Sequence, residues 1–147
     1  MRSSGRDSAT SRPLLALARA DDRVHRAITE ALNRSGLTPT KFNVLMELAA
    51  SPEGGLPLCD IGRRLIRSAP NITTLIDRLE ADGLVRREPD PEDRRRVIAR
   101  ITDRGWGALR RGAPAVFAAE RDLLRSIGSR DRTTLVRLLQ TVAADEG

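Results

Sequence analysis

Asn71, Thr74 and Arg78 recur at i, i+3 and i+7, opposite an aliphatic stripe of Ile72, Leu75, Ile76 and Leu79. On a helix this spacing puts the three polar residues on one side and the stripe on the other. Short hydrogen-bonding side chains near a helix N-terminus suit base-edge reading in a DNA major groove. Small residues let the helix approach, and Asn can pair bidentately with adenine. Ser68, Pro70 and Thr73 flank this set, and a helix N-terminus itself favours a phosphate. The plain alternative is an ordinary amphipathic surface helix.

A second feature shifts the balance. Arg94, Arg95 and Arg96 form a run beside Asp93, in a turn-rich connection between two apparent strands. Arginines at a narrow hairpin tip can enter the minor groove, where the potential is most negative. Asp93 can brace one of them through a salt bridge. The basic excess is regional. Residues 94–111 hold seven Arg against one acid, Asp103, whereas residues 112–147 hold five Arg against five acids. Net charge is +6, and 25 of the 26 basic residues are Arg, with Lys41 the exception. An Arg-favouring genome explains that bias blandly. Phosphate binding explains it functionally, because the guanidinium fork matches phosphate geometry.

Other chemistries are poorly supported. The single cysteine, Cys59, gives no disulfide framework and no cysteine-based zinc site, and the single histidine, His25, gives no His cluster. No metal or cofactor is expected. No Gly-rich phosphate loop and no nucleophile–base pair stand out, so an enzyme is not expected. Phe42, Trp106 and Phe117 are the aromatics, too few for base-stacking platforms. Apolar runs such as Leu14–Ala18 fall far short of the roughly 18 residues needed to span a bilayer. A cytoplasmic protein without a membrane partner is therefore expected.

Pattern and capping order the elements that must position these residues. Residues 1–12 read as a disordered tail, and Ser11 with Pro13 as a helix start. Positions 14, 17, 21, 24, 28 and 32 then follow helical spacing, apolar except for Asp21. Thr38-Pro39 opens a second helix, with Phe42, Leu45, Met46 and Ala49 on one face. Leu56 reads as a one- or two-residue strand. A third helix is predicted over about Leu58–Ile66, and a fourth, capped by Ser68, over about Ala69–Asp82, stopped by Gly83. Residues 84–88 and 96–101 read as two strands. Thr102 caps a long helix to about Ser126, which Pro114 and glycines 105, 107 and 112 are expected to kink or loosen. Ser129 caps a last helix carrying Leu135, Leu138, Leu139 and Val142.

The expected fold is mainly α with a small β-hairpin wing (α+β). It is a winged helix-turn-helix over residues 37–102, with helical dimerisation regions at 13–36 and 103–147.

The stretch from Asn71 to Gly105 resembles the multiple antibiotic resistance regulator (MarR) family. Asp77-Arg78-Leu79-Glu80 resembles the end of that family's recognition helix. Asp93-Arg94-Arg95 matches its Asp-x-Arg wing motif, and Thr102-Asp103-Arg104-Gly105 resembles the start of its fifth helix. Leu37-Thr-Pro-Thr-Lys-Phe42 resembles the start of its second. The likeness covers about residues 12–144 as one domain. It implies a homodimer interlocked by the first, fifth and sixth helices, binding a pseudo-palindromic double-stranded operator, usually as a repressor. Such a protein works in the cytoplasm and joins the nucleoid when bound. By motif, Arg95 is the wing-tip residue in the minor groove and Asp93 its brace, with Arg94 and Arg96 beside it. Ser68, Pro70, Asn71, Thr73, Thr74 and Arg78 line the major groove or touch its phosphates. Many members carry a basic residue where this chain has Thr74, which throws more of the base reading onto Asn71. Gly62 stands inside the third helix where Ala is commoner, at a cost of up to about 1 kcal/mol.

The resemblance also implies a small aromatic or lipophilic effector in the cleft between the dimer helices and the DNA-binding lobe. The candidate lining residues are His25, Phe42, Met46 and Trp106. Each has a packing alternative: His25 as a buried or interface histidine, the others as core. Cys59 reads as a small core residue. Asp77, Glu80 and Asp82 read as ion-pair partners of Arg78 and Arg86. The competing function is a winged helix used for protein contacts, whose basic wing binds an acidic partner or binds DNA without sequence preference.

Overall fold

The computed structural model describes residues 4–65, 71–93 and 95–144, with side chains from Ser11 onward. The elements run α1 (Ser4–Leu32), α2 (Pro39–Ala49), β1 (Gly55–Pro57), α3 (Leu58–Arg64), α4 (Ile72–Ala81), β2 (Val85–Pro89), β3 (Val97–Ile101), α5 (Asp103–Leu124) and α6 (Ser129–Ala143). This is the mainly helical winged arrangement expected, with a third strand completing the wing sheet.

Local chemistry accounts for most boundaries. The Thr38 hydroxyl accepts from the Lys41 N–H at 3.3 Å, and the Thr102 hydroxyl accepts from the Gly105 N–H at 3.0 Å. Both are N-caps that supply an orphan donor with its partner. At the end of α4, Gly83 takes φ 70° and its N–H reaches the Glu80 carbonyl, while the Leu84 N–H reaches Leu79. That is a Schellman stop, open to glycine because the left-handed region carries no Cβ penalty.

Four expectations need correction. First, α1 starts at Ser4, so residues 4–12 are helical rather than a disordered tail, and Pro13 lies inside the helix. Pro13 removes one backbone hydrogen bond, but Ala9, Arg12, Leu14, Leu15 and Ala16 are good helix formers on either side. Second, α4 starts at Ile72 with Asn71 as its cap, not at Ala69. Asn71 is extended, at φ −153° and ψ 101°, and its side chain accepts from the Thr74 N–H, so the helix begins after it. Ser68, expected to cap this helix, lies outside the described residues. Third, Gly128 rather than Ser129 precedes α6, and Ser129 opens it. Fourth, Cys59 is exposed rather than core. It sits two positions from the buried Ile61, on the far side of a helix turn. The 22-residue α5 runs through Pro114 without interruption.

The sheet has strand order β1-β3-β2, antiparallel throughout, with Val85 opposite Ile101 and Pro89 opposite Val97. The core lies between this sheet and the helices. Leu32, Val44, Leu45, Leu48, Ile61, Ile76, Leu79, Val85 and Val116 are all but completely buried. Each such aliphatic contributes roughly 1.5–3 kcal/mol relative to exposure. The stripe predicted for α4 is borne out at Ile76 and Leu79, with Ile72 and Leu75 packed at the core's edge.

Two glycines permit close packing. Gly105 lies against the Leu84 carbonyl and the Ile101 side chain, where a Cβ would collide. Gly112 lets α5 rest on Leu32, the last residue of α1, and on Ser35 in the turn that follows.

Helix α6 buries no residue in this chain. Leu135, Val136, Leu138, Leu139 and Val142 are exposed, as are Leu14, Leu15, Leu17 and Val24 of α1. The helical stripe read from positions 14–32 is therefore real as a pattern, yet only its end, Ile28 and Leu32, packs within the chain.

Candidate nucleic-acid interface

Helix α4 presents two faces. The inner one is held by Ile76 and Leu79, and the outer one exposes Asn71, Thr73, Thr74, Asp77 and Arg78. Asn71 Oδ1 accepts from the Thr74 N–H at 3.2 Å, so this side chain caps the helix. The capping bond uses the carbonyl oxygen, and the side-chain amide keeps its two donors. Arg78 forms no ion pair among the described residues and stands in solvent.

The wing is braced as expected. Asp93 Oδ1 accepts from both the backbone N–H of Arg95 and its Nε, at 3.0 and 3.4 Å. The Arg95 side chain is 91% exposed. Arg96 differs from its expected tip position. It turns back toward Asp60 of α3 at 3.6 Å and Asp90 at 3.7 Å, because two carboxylates flank it. Arg94, like Ser68 and Pro70, lies outside the described residues. Asp90, buried to 8% exposure, accepts from the Glu92 N–H at 2.9 Å and so organises the turn.

Arg87, which no spacing or capping rule singles out, ties wing to helix. Its guanidinium donates to Asp77 and Glu80 at 2.5 Å each and to the Thr73 carbonyl at 3.2 Å. Its backbone N–H reaches Glu80 at 3.0 Å. The acids of α4 therefore pair with Arg87, not with Arg78 and Arg86 as expected, and Asp82 pairs with Lys41. Strand alternation held the signal: Arg87 points to the opposite side of β2 from Arg86.

On that other side, Arg86 stands directly across from Arg100 in the sheet. Like charges in this position repel. Glu88 lies between them, 2.5 Å from Arg86 and 2.7 Å from Arg100. Hydrogen bonds from Arg100 first and Arg86 second hold its carboxyl below the usual glutamate range. Arg100 also donates to the Glu53 carbonyl at 2.7 Å and fastens the preceding turn to the sheet.

The four candidate pocket residues are not brought together. Phe42 is in the core at 4% exposure, and Met46 and Trp106 pack at its edge, Trp106 beside Gly54. Their helix faces point inward with the rest of the apolar stripe. His25 is exposed rather than buried in this chain. It lines a cavity of about 200 Å³ with Asp21, Val24, Ile28, Pro39, Thr40, Asn43 and Leu65. Among the described residues no group of three or more His, Cys, Asp or Glu could hold a metal ion, and no helix is long and apolar enough to cross a membrane.

An exposed polar helix following a short helix, buttressed by a three-stranded wing with an arginine tip, defines a winged helix-turn-helix protein. Short hydroxyls, an amide and guanidinium groups on these two elements can hydrogen-bond base edges and phosphates. The MarR family profile matches residues 35–96. The regulator MhqR of Bacillus subtilis is 33% identical over 82% of this chain and 81% of its own. The repressor CouR bound to a 23-mer DNA duplex is 35% identical, with a TM-score of 0.77 over 88% of this chain and 90% of its own. Sco3205 of Streptomyces coelicolor, a MarR-family regulator in complex with DNA, is 26% identical. It superposes with a TM-score of 0.82 over 88% of this chain and 82% of its own. The chain belongs to the MarR family and is a DNA-binding transcriptional regulator.

Proposed function

We propose that the protein is a homodimeric repressor that reads a pseudo-palindromic operator and releases it when a small effector binds. In this reading α4 enters the major groove. Thr73, Thr74, Arg78 and the side-chain amide of Asn71 face bases or phosphates, together with Ser68 and Pro70. Arg95 enters the minor groove, braced by Asp93, with Arg94 beside it. Arg96 serves the wing's base.

The observation that carries the DNA contacts is the pairing of an exposed polar α4 face with an exposed, carboxylate-braced Arg95. The exposed leucines of α6 and of α1 support the dimer, since so many large apolar side chains left in solvent imply a cover. A groove between α1 and α5 has a floor of small alanines, such as Ala31 and Ala115, rimmed by the charged Arg23, Glu30, Asp122 and Arg125, which suits the approach of a partner helix. The sign of regulation follows the similarity to CouR, a repressor by name. The cavity around His25 has an apolar lining of Val24, Ile28, Pro39 and Leu65 and the size for a small aromatic or lipophilic effector. It replaces the pocket expected around Phe42, Met46 and Trp106. Binding there shifts operator affinity only if the two states bind the effector differently. No catalytic role is assigned, and the place of action is the cytoplasm, on the chromosome.

Selection from a random duplex pool tests this. The expected product is a palindrome with half-sites about one helical turn apart. A pool that stays random, with affinity that collapses in salt, contradicts the reading.

A further inference from the structure

Lys41 and Asp82 stand at unfavourable ends of their own helices. Lys41 lies in the first turn of α2, and Asp82 is the C-cap of α4. A cation is disfavoured at the positive end of a helix dipole, and an anion at the negative end. Yet the Lys41 ammonium donates to Asp82 Oδ2 across 41 positions of sequence. The lysine side chain is only 20% exposed. Residues that break a local rule and satisfy each other at a distance mark a contact with a purpose beyond helix stability.

Their placement suggests the purpose. Helix α4 packs on α3 and β2, and Arg87 grips it from the wing. Among the described residues no hydrogen bond or ion pair other than Lys41–Asp82 joins α2 to α4. Pro39, Thr40 and Asn43, the neighbours of Lys41, line the His25 cavity together with Leu65, the C-cap of α3. From Leu65 the chain leads to Asn71, the cap of α4. The cavity thus touches the helix that holds one end of α4 and the chain that feeds the other.

We propose that the Lys41–Asp82 pair is the strut that sets the tilt of the recognition helix, making Lys41 a positioning residue for operator recognition rather than a DNA contact. The proposal rests on α4 being the reading helix.

The test uses the full chain and its selected operator. Lys41→Gln, Asp82→Asn and the charge exchange Lys41→Asp with Asp82→Lys are titrated against operator and scrambled duplex by anisotropy, with Tm followed by circular dichroism. Asp82→Asn makes the protein more positive, so electrostatics alone predicts tighter binding to any DNA. The strut predicts operator affinity lower by on the order of fivefold, as for coupled contacting residues, without loss on the scrambled duplex. Lys41→Gln is expected to show the same operator loss with an unchanged salt slope. The charge exchange restores operator affinity and suits both helix dipoles, so it holds Tm.

Operator binding by Asp82→Asn as tight as wild type or tighter overturns the proposal. So does failure of the charge exchange to recover affinity. Equal losses on both duplexes for Lys41→Gln, with a salt slope smaller by about one, would make Lys41 a phosphate contact instead. A wild type that does not prefer its operator overturns the reading of α4, and the strut with it.

Discussion

Asp93 Oδ1 accepts from Arg95 twice, once from the backbone N–H at 3.0 Å and once from Nε at 3.4 Å. One carboxylate thereby shapes the turn and steadies a guanidinium that otherwise stands in solvent. A tip restrained in this way gives up less freedom on entering a groove. Arg95→Ala is expected to weaken binding to all duplexes and to lower the salt slope by about one. Asp93→Ala leaves the Arg95 guanidinium in place but unbraced, and removes one negative charge, so it is expected to lose less. Anisotropy titrations at several salt concentrations check both, and an unchanged slope for Arg95→Ala would remove that residue from the interface.

Asn71 has two separable roles. Its carbonyl caps α4, and its amide, which donates to no group among the described residues, can reach a base edge. Asn71→Ala is expected to cost about 1 kcal/mol of stability by losing the cap. Asn71→Ser keeps a cap of similar strength and removes only the amide. It should hold Tm while relaxing discrimination at one base pair by about 1–3 kcal/mol. A specificity profile of Asn71→Ser identical to wild type would reduce Asn71 to a cap.

These roles mark how far the sequence was legible. Element order, the aliphatic stripe of α4, the caps Thr38 and Thr102 and the Asp93–Arg95 brace were readable, because each depends on residues within a few positions. The tie of Arg87 to Asp77 and Glu80 was not, since helix and strand approach from opposite sides of the Gly83 turn. The Lys41–Asp82 pair spans 41 positions and opposes both helix dipoles, so local rules argued against it. Phe42, Met46 and Trp106 read as core or as pocket lining alike, because core and pocket linings share one composition. Only packing separates them.

Gly105 tests the joint between the wing and α5. Gly105→Ala would drive a Cβ into the Leu84 carbonyl, which belongs to the backbone and yields poorly. A loss of about 1–3 kcal/mol or more is expected, as for overpacked cores. Thermal unfolding measures it, and an unchanged Tm would mean that the strand and helix separate freely.

Glu88 gives the wing an acid limit. Its carboxyl titrates below its ordinary value because Arg100 and Arg86 donate to it. A depressed carboxylate contributes stability that is present above the unfolded value, about pH 4.3, and lost as pH falls through the folded one. Glu88→Gln should therefore be less stable than wild type at neutral pH, with the difference vanishing in acid. Denaturant midpoints from pH 7 to pH 3 follow this. A difference constant across that range would contradict it.

The exposed leucines of α6 bear on assembly. Leu138→Asp with Leu139→Asp is expected to shift the protein toward monomer in analytical ultracentrifugation and to weaken operator binding at least tenfold, because two half-sites no longer act together. A variant that stays dimeric with full affinity would place the interface elsewhere.

The most direct test of the whole reading is the ratio of operator to scrambled-duplex affinity for the wild-type protein, measured near physiological salt. A paired reading helix and braced wing predict a ratio of about 10³ or more. A ratio near one, with both affinities falling steeply and equally in salt, would show a basic surface that binds phosphate without reading sequence.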